Sequence, residues 1–256
     1  MLALEFVVIS LPTSADRRQL VSHRLRQLRW PWRFFDAHTA SENVLPYDPA
    51  RALVRRGYKL SPAEIGCFSS HIQCLREHAG SAASSPEFMV VLEDDVLLDE
   101  RFDFGALPTL MSQLDIHYLK LYSRFLTRFR YLGRIGQRGL YRFVVPPYGS
   151  QAYVISKVGA RRLVSAAKRI ERPIDDEMDR YWVNGLPTYV LFPFPVLESE
   201  LGSTIAKGSA QLTLLQGIES RAFIWADKVP REYANLRLLL RDRITRDKVL
   251  GLAGLA

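Results

Sequence analysis

Five apolar residues at 88–92, Phe-Met-Val-Val-Leu, run directly into three acids, Glu93, Asp94 and Asp95. Continuous apolarity without alternation is typical of a strand buried on both faces of a mostly parallel sheet. The sequence therefore predicts an α/β fold with a mostly parallel central sheet flanked by helices. Because ligands bind beyond the carboxyl ends of the strands in such sheets, the three acids are expected at a ligand site.

Three adjacent carboxylates repel one another and are costly to desolvate, so a cation is expected to neutralise them. Oxygen donors suit Mg²⁺ or Mn²⁺, with water and phosphate completing the coordination. If the strand continues through the acids, Glu93 and Asp95 project to one side and Asp94 to the other. Asp95 and Glu93 are therefore the predicted metal ligands. A solvated acidic turn is the alternative, but it does not explain why the acids follow a buried strand.

Other segments extend the α/β pattern. Phe6–Leu11 predicts a first strand, and Glu5 within this short apolar run argues against a signal peptide. No run approaches the roughly 18 apolar residues of a membrane span. Residues 40–60 are expected to be an irregular surface excursion. Helices are predicted at 16–29, within 99–114, at 157–168 and from 173, and strands at 32–37, 117–122, 152–156 and 188–192.

Ser61-Pro-Ala-Glu64 predicts a helix start, with a Ser cap, Pro at the first helical position and Glu three residues after the cap. The helix carries a stripe of metal-binding residue types: Cys67, His71, Cys74 and His78. One helix cannot direct four ligands spread over roughly 16 Å onto one ion, so we expect a core-facing stripe with His71 near the site. The two cysteines are too far apart along the axis for a disulfide, which fits a reducing cytoplasm.

The formal net charge of +8 favours an anionic partner, such as a nucleotide, a phosphosugar, nucleic acid or an acidic membrane. Between 124 and 142 lie six arginines and no acid, interleaved with aromatic residues. This segment is interpreted as a flexible lid, an acceptor surface or a nucleic-acid contact. We expect residues 1–205 to form the main domain and 206–256 a basic, partly helical tail. The tail either contacts anionic lipid or packs its leucines on the domain.

Six ordered blocks resemble glycosyltransferase family 25. They are residues 7–18, 34–37, 60–71, 91–96, 149–156 and 173–176, within a resemblance that covers roughly residues 5–205. The family includes bacterial lipooligosaccharide galactosyltransferases and collagen galactosyltransferases. The resemblance implies a GT-A-like fold, a UDP-sugar donor, usually UDP-galactose, and inversion to a β-linkage. The small size suggests the bacterial branch, and the implied acceptor is a lipooligosaccharide or related glycan.

The resemblance also suggests roles for individual residues. Asp175 matches the family's Pro-x-Asp position and is the predicted general base, with Asp176 as the substitute candidate. Arg17 and Arg18 are predicted to meet the nucleotide or its phosphates. The sequence departs from an Asn-Leu-Lys-like pattern at Ser10-Leu-Pro12, which weakens the assignment of donor contacts. The predicted donor-binding set is Ser10, Arg17, Arg18, Asp36, His71, Glu93 and Asp94.

Two other functions remain open from the residues themselves. A metal-dependent phosphohydrolase or nuclease also uses acidic clusters that hold divalent ions. A non-catalytic nucleic-acid-binding protein fits the charge, but no recognised nucleic-acid motif is present, so no nucleic-acid partner is expected. For a transferase of lipid-linked acceptors, the expected location is the cytoplasm, with peripheral contact at the inner face of the bacterial inner membrane.

Overall fold

The structure, a computed structural model, describes residues 4–26, 28–199 and 214–253. Residues 1–3, 27 and 200–205 of the predicted main domain lie outside the described residues, as do 206–213 and 254–256 of the predicted tail. Within the described residues the strands are β1 (Leu4–Ser10), β2 (Trp32–Asp36), β3 (Phe88–Glu93), β4 (Val96–Leu98), β5 (Tyr118–Lys120), β6 (Phe129–Ile135), β7 (Arg138–Phe143), β8 (Ala152–Ser156), β9 (Tyr189–Phe192) and β10 (Val196–Glu198). The helices are α1 (Ala15–Leu25), α2 (Pro49–Arg56), α3 (Pro62–Gly80), α4 (Leu107–Gln113), α5 (Lys157–Ala166), α6 (Ile174–Met178), α7 (Tyr181–Asn184) and α8 (Leu214–Ala253).

Eight strands form one central sheet in the order β2-β1-β3-β8-β5-β9-β7-β6. The pairs β1/β2, β1/β3 and β5/β9 are parallel. Strand β8 runs antiparallel to both β3 and β5, and β7 runs antiparallel to β9 and β6. Strands β4 and β10 form a separate antiparallel pair. The prediction of an α/β fold with helices flanking a large central sheet is confirmed, and the sheet is mixed.

Strand β3 is buried on both faces, as its continuous apolar run predicts. Val90 and Leu92 pack in the core that α1 and α4 cover, whereas Met89 and Val91 pack in the core under α3 and α5. The strand ends at Glu93, and Asp94 and Asp95 follow in a turn. The acids therefore emerge at the carboxyl end of a strand fixed by core packing on both sides.

Residues 40–60 are more regular than expected. Ala40–Glu42 forms a 3-10 turn, and α2 follows it. The carboxylate of Asp48 accepts a hydrogen bond from the backbone N–H of Arg51, and Pro49 stands at the first helical position. Gly57 ends the helix in the left-handed conformation. An Asp cap, a following Pro and a terminal Gly are ordinary helix signals, so α2 is detectable in the sequence.

The arginine-rich segment is a β-hairpin, β6 and β7, at the edge of the sheet, and α8 packs against it. Arg142 is completely buried, and its guanidinium donates to both carboxylate oxygens of Asp242 on α8 at 2.6 and 2.8 Å. Most of the other arginines also have intramolecular partners. Arg128 pairs with Glu232, Arg130 with Asp242 and Arg138 with Asp99. The segment is therefore part of the central sheet, and Arg128, Arg130 and Arg142 join it to α8. Its interpretation as a lid or an acceptor surface stays a prediction. In the described part of the chain, no helix is long and apolar enough to cross a membrane.

Candidate active site

A cleft of about 640 Å³ opens beyond the carboxyl ends of β1 and β3. The amino-terminal parts of α3 and α6 and the loop before β8 complete its wall. Residues from these elements that line the cleft include Ser10, Arg17, Cys67, His71, Glu93, Asp94, Asp95, Tyr148, Ser150 and Asp175. The structure therefore brings the acidic triplet and the predicted base to one cavity.

Glu93 is held by two side chains. The Ser150 hydroxyl donates to its Oε1 at 2.7 Å, and Nε2 of His71 lies 3.4 Å from the same oxygen. Burial would raise the pKa of Glu93, but the hydrogen bonds from His71 and Ser150 outweigh burial, so the pKa is lowered. Glu93 is therefore an ionised carboxylate at neutral pH.

Asp94 is also neutralised by neighbours. The Ser10 hydroxyl donates to Oδ2 at 2.7 Å, and the Arg17 guanidinium donates to Oδ1 at 3.0 Å. Both partners come from the β1–α1 segment, which runs beside β3 in parallel register. Ser10 and Arg17, predicted to contact the donor, thus bind the central acid of the triplet.

Asp95 differs from its two neighbours. Its Oδ2 is 3.9 Å from the Arg17 guanidinium, and in the described part of the chain its Oδ1 is buried without a hydrogen-bond partner. Burial, followed by the charges of Glu93 and Asp94, raises the pKa of Asp95 to about 7. A buried carboxylate oxygen without a hydrogen-bond partner, beside two further acids, fits a divalent cation, and its oxygen donors suit Mg²⁺ or Mn²⁺.

A second group of metal-ligand types lies in the same wall. One ligand atom from each of Cys67, His71 and Glu93 comes within 4.8 Å of the others. Nδ1 of His71 is hydrogen-bonded to the Tyr153 hydroxyl at 2.9 Å, which fixes the ring. Cys74 is buried in the core and unbridged, whereas Cys67 and His71 line the cleft, so only part of the predicted core-facing stripe faces the core.

Asp175 and Asp176 occupy different environments. Oδ2 of Asp175 accepts from the backbone N–H of Gly149 at 2.9 Å, and Oδ1 accepts from the N–H of Asp176 at 2.8 Å. Asp176 is instead buried with the guanidinium groups of Arg56 and Arg172 at 3.2 and 3.4 Å. Burial, opposed by these arginines, raises the pKa of Asp176. Asp175 is thus the member of the pair that faces the cleft, and Asp176 has a structural position.

The loop that supports Asp175 rests on a buried ion pair that was not predicted. Nζ of Lys120 lies 3.2 Å from Oδ1 of Asp179, and both side chains are almost completely buried. Lys120 also donates to the carbonyls of Tyr148 and Gly149, while Asp179 accepts from the Tyr148 N–H at 2.9 Å. Tyr148 and Gly149 have φ of +59° and +88°. The left-handed conformation is costly for Tyr148 but not for Gly149, and the contacts from Lys120 and Asp179 hold Tyr148 in it.

Glu198 is a further acid of the cleft that the sequence interpretation missed. It ends β10, opposite Val96 on β4, and accepts from the Tyr122 hydroxyl at 2.7 Å. Arg124, the first arginine of the arginine-rich segment, lies 3.6 Å from it and also lines the cleft. No local motif marks Glu198, because only strand pairing brings it beside the acids that follow β3.

Two residues of the predicted donor-binding set have other partners. The Arg18 guanidinium donates to the Ser10 carbonyl and to Asp36, and it lies 4.6 Å from the centre of the Phe34 ring. Among the described residues that line the cleft, Arg17 is present but Arg18 and Asp36 are not. Arg18 and Asp36 therefore join α1 to β2, which positions Ser10 at the rim.

Comparison with known proteins identifies the family. The family model described as "Glycosyltransferase family 25 (LPS biosynthesis protein)" matches residues 3–178. The chain belongs to glycosyltransferase family 25. This match spans more than half of the chain and includes the acidic triplet and Asp175. Helix α8 and Glu198 lie beyond the residues that the family model matches.

Two curated relatives are each 29% identical to this family 25 chain. One is the "Putative glycosyltransferase" of Haemophilus influenzae, matched over 67% of this chain and 60% of its own length. The other is the "Probable inactive glycosyltransferase 25 family member 3" of Bos taurus, matched over 67% of this chain and 30% of its own length. This chain therefore spans less than two thirds of either relative. Because one relative carries the name "Probable inactive", membership of the family does not by itself establish catalysis.

Among solved structures, the family 25 chain is similar to one titled as a mannose-1-phosphate geranyltransferase from Thermus thermophilus. The two share 12% identity and a TM-score of 0.33, over 77% of this chain and 76% of that one. A likeness of this degree says nothing about function.

Proposed function

We propose that this chain is an inverting, metal-dependent glycosyltransferase with a GT-A-like arrangement. The proposed reaction transfers galactose from UDP-galactose, with a β-linkage, onto a lipooligosaccharide or a related surface glycan. One observation carries the proposal: a single cleft contains Asp95, whose buried Oδ1 has no hydrogen-bond partner among the described residues, and Asp175, a separate carboxylate held by two backbone N–H groups. Membership of family 25 supplies the reaction class, and the resemblance of the motifs supplies the donor.

The chemistry needs a base on the acceptor side. Asp175 would take the proton of an acceptor hydroxyl as that oxygen attacks the anomeric carbon. The bond between the anomeric carbon and the diphosphate oxygen then breaks, and the nucleoside diphosphate leaves with the bonding electron pair. Backbone donors from Gly149 and Asp176 keep the Asp175 carboxylate oriented through this step.

The donor side of the cleft carries positive charge. Asp95, with help from Glu93, would hold Mg²⁺ or Mn²⁺, which neutralises the leaving diphosphate when bound. Arg17 and Arg124 line the cleft and present guanidinium groups that suit phosphate oxygens. Ser10 and Asp94 fix Arg17, and His71 fixes Glu93.

The family and the contacts of the arginines favour a transferase over the two alternatives. A metal-dependent phosphohydrolase or nuclease could use the same acids, but the family model that matches residues 3–178 is that of a glycosyltransferase. The arginine-rich hairpin uses Arg142 and Arg138 to hold the fold, which argues against a nucleic-acid surface. The proposed location is the cytoplasmic face of the bacterial inner membrane.

The test is a screen of UDP-sugars with the full chain in Mn²⁺ or in EDTA. Thermal shift measures donor binding, and release of UDP measures turnover. We expect UDP-galactose to raise the melting temperature only with the metal and to be turned over. The proposal is overturned if no UDP-sugar binds the chain in Mn²⁺. If only a different UDP-sugar stabilises the chain, galactose is not the donor sugar.

A further inference from the structure

Helix α8 has its polar and apolar faces inverted relative to an ordinary surface helix. The face toward the domain buries Asn235, Asp242, Thr245 and Val249. Asn235 and Asp242 are buried because they accept hydrogen bonds from Arg142. The buried face is thus polar because it neutralises a guanidinium, and the large apolar residues of α8 are left on the other side.

Six of these apolar side chains form a continuous outward stripe, with 48–67% of each residue exposed. The stripe consists of Trp225, Val229, Tyr233, Leu236, Leu240 and Ile244. Their spacing of four, four, three, four and four residues keeps them on one side of a helix with 3.6 residues per turn. The stripe is roughly 28 Å long at 1.5 Å per residue. Scattered exposed apolar residues are ordinary, but a continuous line of six marks an interaction surface.

Two acids of α8 face the domain: Asp227 pairs with Arg180 at 2.9 Å, and Asp242 pairs with Arg142. Glu219 and Asp247 are exposed, and by helical geometry Asp247 lies on the side of the stripe. Arg237 and Arg243 are exposed and, by helical geometry, flank the stripe on its two sides. Among the described residues, neither takes part in an ion pair. The outward face therefore combines apolar residues with two exposed arginines and one exposed acid.

A groove beside the stripe continues this chemistry. It has a volume of about 460 Å³ and lies between α8 and the β6–β7 hairpin. Leu236 and Leu239 form part of its apolar lining, together with Phe129 and Val144. On its other side Arg128 and Arg130 lie 3.7 and 3.6 Å from the carboxylates of Glu232 and Asp242. The groove therefore offers an apolar wall to an acyl chain, while its arginines are already paired.

We propose that the outward face of α8 docks this protein on the surface of an anionic lipid bilayer. The apolar stripe would enter the boundary between headgroups and acyl chains, with Trp225 and Tyr233 at the interface and the arginines on the phosphates. A second copy of the chain is a poorer occupant, because the exposed cations of α8 outnumber its exposed acids and two such surfaces would repel each other. The exposed cations are Lys228, Arg237, Arg243, Arg246 and Lys248, and the exposed acids are Glu219 and Asp247. The inference goes beyond the proposed transferase activity and does not depend on it.

The experiment uses the full chain and phosphatidylcholine vesicles with or without phosphatidylglycerol. We expect cosedimentation with the anionic vesicles at low salt, release as salt rises, and little binding to the neutral vesicles. Leu236→Glu with Leu240→Glu should lower the bound-to-free ratio by about 10-fold or more, since it removes two apolar anchors and adds negative charge. The matched control, Val183→Glu with Leu197→Glu, changes two exposed apolar residues elsewhere by the same charge and should retain binding.

Two further measurements separate the outcomes. The fluorescence of wild-type protein should shift to the blue on anionic vesicles, and Trp225→Phe should remove that shift while Trp182→Phe should not. The proposal is overturned if the wild-type protein does not bind anionic vesicles at low salt, or if the Leu236→Glu/Leu240→Glu variant and the control variant lose binding equally. It is also overturned if the Leu236→Glu/Leu240→Glu variant keeps its vesicle binding and instead dissociates a dimer in analytical ultracentrifugation. Donor-induced thermal shift in the same variants reports on the transferase proposal separately.

Discussion

The backbone N–H of Gly149 donates to Oδ2 of Asp175 at 2.9 Å, so the orientation of the proposed base depends on a left-handed glycine. A Cβ at position 149 would lie 2.8 Å from the Gln151 side chain and 3.1 Å from the backbone nitrogen of Arg124. The loop that contains Gly149 therefore fixes the position of the Asp175 carboxylate. A change that moves the loop will move the base.

Gly149→Ala is expected to reduce turnover by roughly 10- to 100-fold, because a small displacement of Asp175 misaligns proton transfer. Donor affinity, measured by thermal shift or calorimetry, should change little. The control is Gly185→Ala, which also has a positive φ but has open space around the added carbon. It should cost about 1–2 kcal/mol of stability and leave turnover unaltered. Equal losses of turnover in both variants would contradict the coupling of loop and base.

Asp175→Asn is expected to bind donor normally and to lose about 10²-fold or more in turnover, the scale for removal of a general base. Asp176→Asn should behave differently, since its carboxylate neutralises Arg56 and Arg172 in the interior. We expect a lower melting temperature and near-normal turnover per folded molecule. Single-turnover kinetics and thermal unfolding separate the two effects. If Asp176→Asn alone abolishes turnover, the roles are reversed.

The pKa of Asp95, raised to about 7 by burial and the neighbouring acids, predicts the pH dependence of metal binding and stability. Below about pH 4 the group is protonated in both folded and unfolded chains and has no effect. Between about pH 4 and pH 7 only the folded chain retains the proton, so the free energy of unfolding of the metal-free protein falls as pH rises. This loss of stability is complete above about pH 7. Bound metal must displace that proton, so metal affinity rises across this range.

Asp95→Asn should therefore raise the melting temperature of the metal-free protein at about pH 8, have little effect at about pH 4, and abolish stabilisation by Mn²⁺. Differential scanning fluorimetry with EDTA or Mn²⁺ at both pH values provides the measurement. Glu100→Gln, a change at an exposed acid, is the control and should alter none of these quantities. Full stabilisation of Asp95→Asn by Mn²⁺ at the higher pH would place the metal elsewhere, with Cys67, His71 and Glu93 as the next ligands to test.

Arg142→Met is expected to destabilise the fold by about 3–5 kcal/mol, because it leaves Asp242 buried without its partner. Arg130→Met is the matched control, since the half-exposed Arg130 lies 3.6 Å from the same carboxylate and should contribute less than about 1 kcal/mol. Urea unfolding measures both. Adding Asp242→Leu to Arg142→Met should recover much of the loss. If the double variant loses as much free energy of unfolding as the two single variants together, Arg142 and Asp242 are not energetically coupled.

Local sequence patterns were sufficient for much of the sheet and for part of the site. The apolar run before Glu93 predicted a strand buried on both faces, and Ser61 and Glu64 predicted the start of α3. These signals depend on periodicity and capping over a few residues, so they can be recognised without knowledge of the fold. They also placed the acids at the carboxyl end of a strand. The helix at 49–56 carries the same kind of signal, although the prolines around it favoured an irregular segment.

The different environments of the three acids were decided only by tertiary structure. Asp94 meets Ser10 and Arg17, which are 84 and 77 residues away in the chain, while Asp95 retains a buried oxygen without a partner among the described residues. Strand alternation grouped Glu93 with Asp95 and set Asp94 apart, but the strand ends at Glu93, so alternation does not govern the two aspartates. Their pKa values and roles depend on which distant donors reach each oxygen, and parallel pairing of β1 with β3 determines that.

The orientation of α8 was decided in the same way. The sequence left open whether its leucines pack on the domain or face a membrane, but Arg142, 100 residues from Asp242, is buried in the hairpin and requires an anion beside it. Leaving that guanidinium unpaired would cost more than exposing a few apolar side chains. The sequence by itself determined that this segment is a basic helix with an apolar component. The buried charge on a distant strand determined which face of the helix points outward.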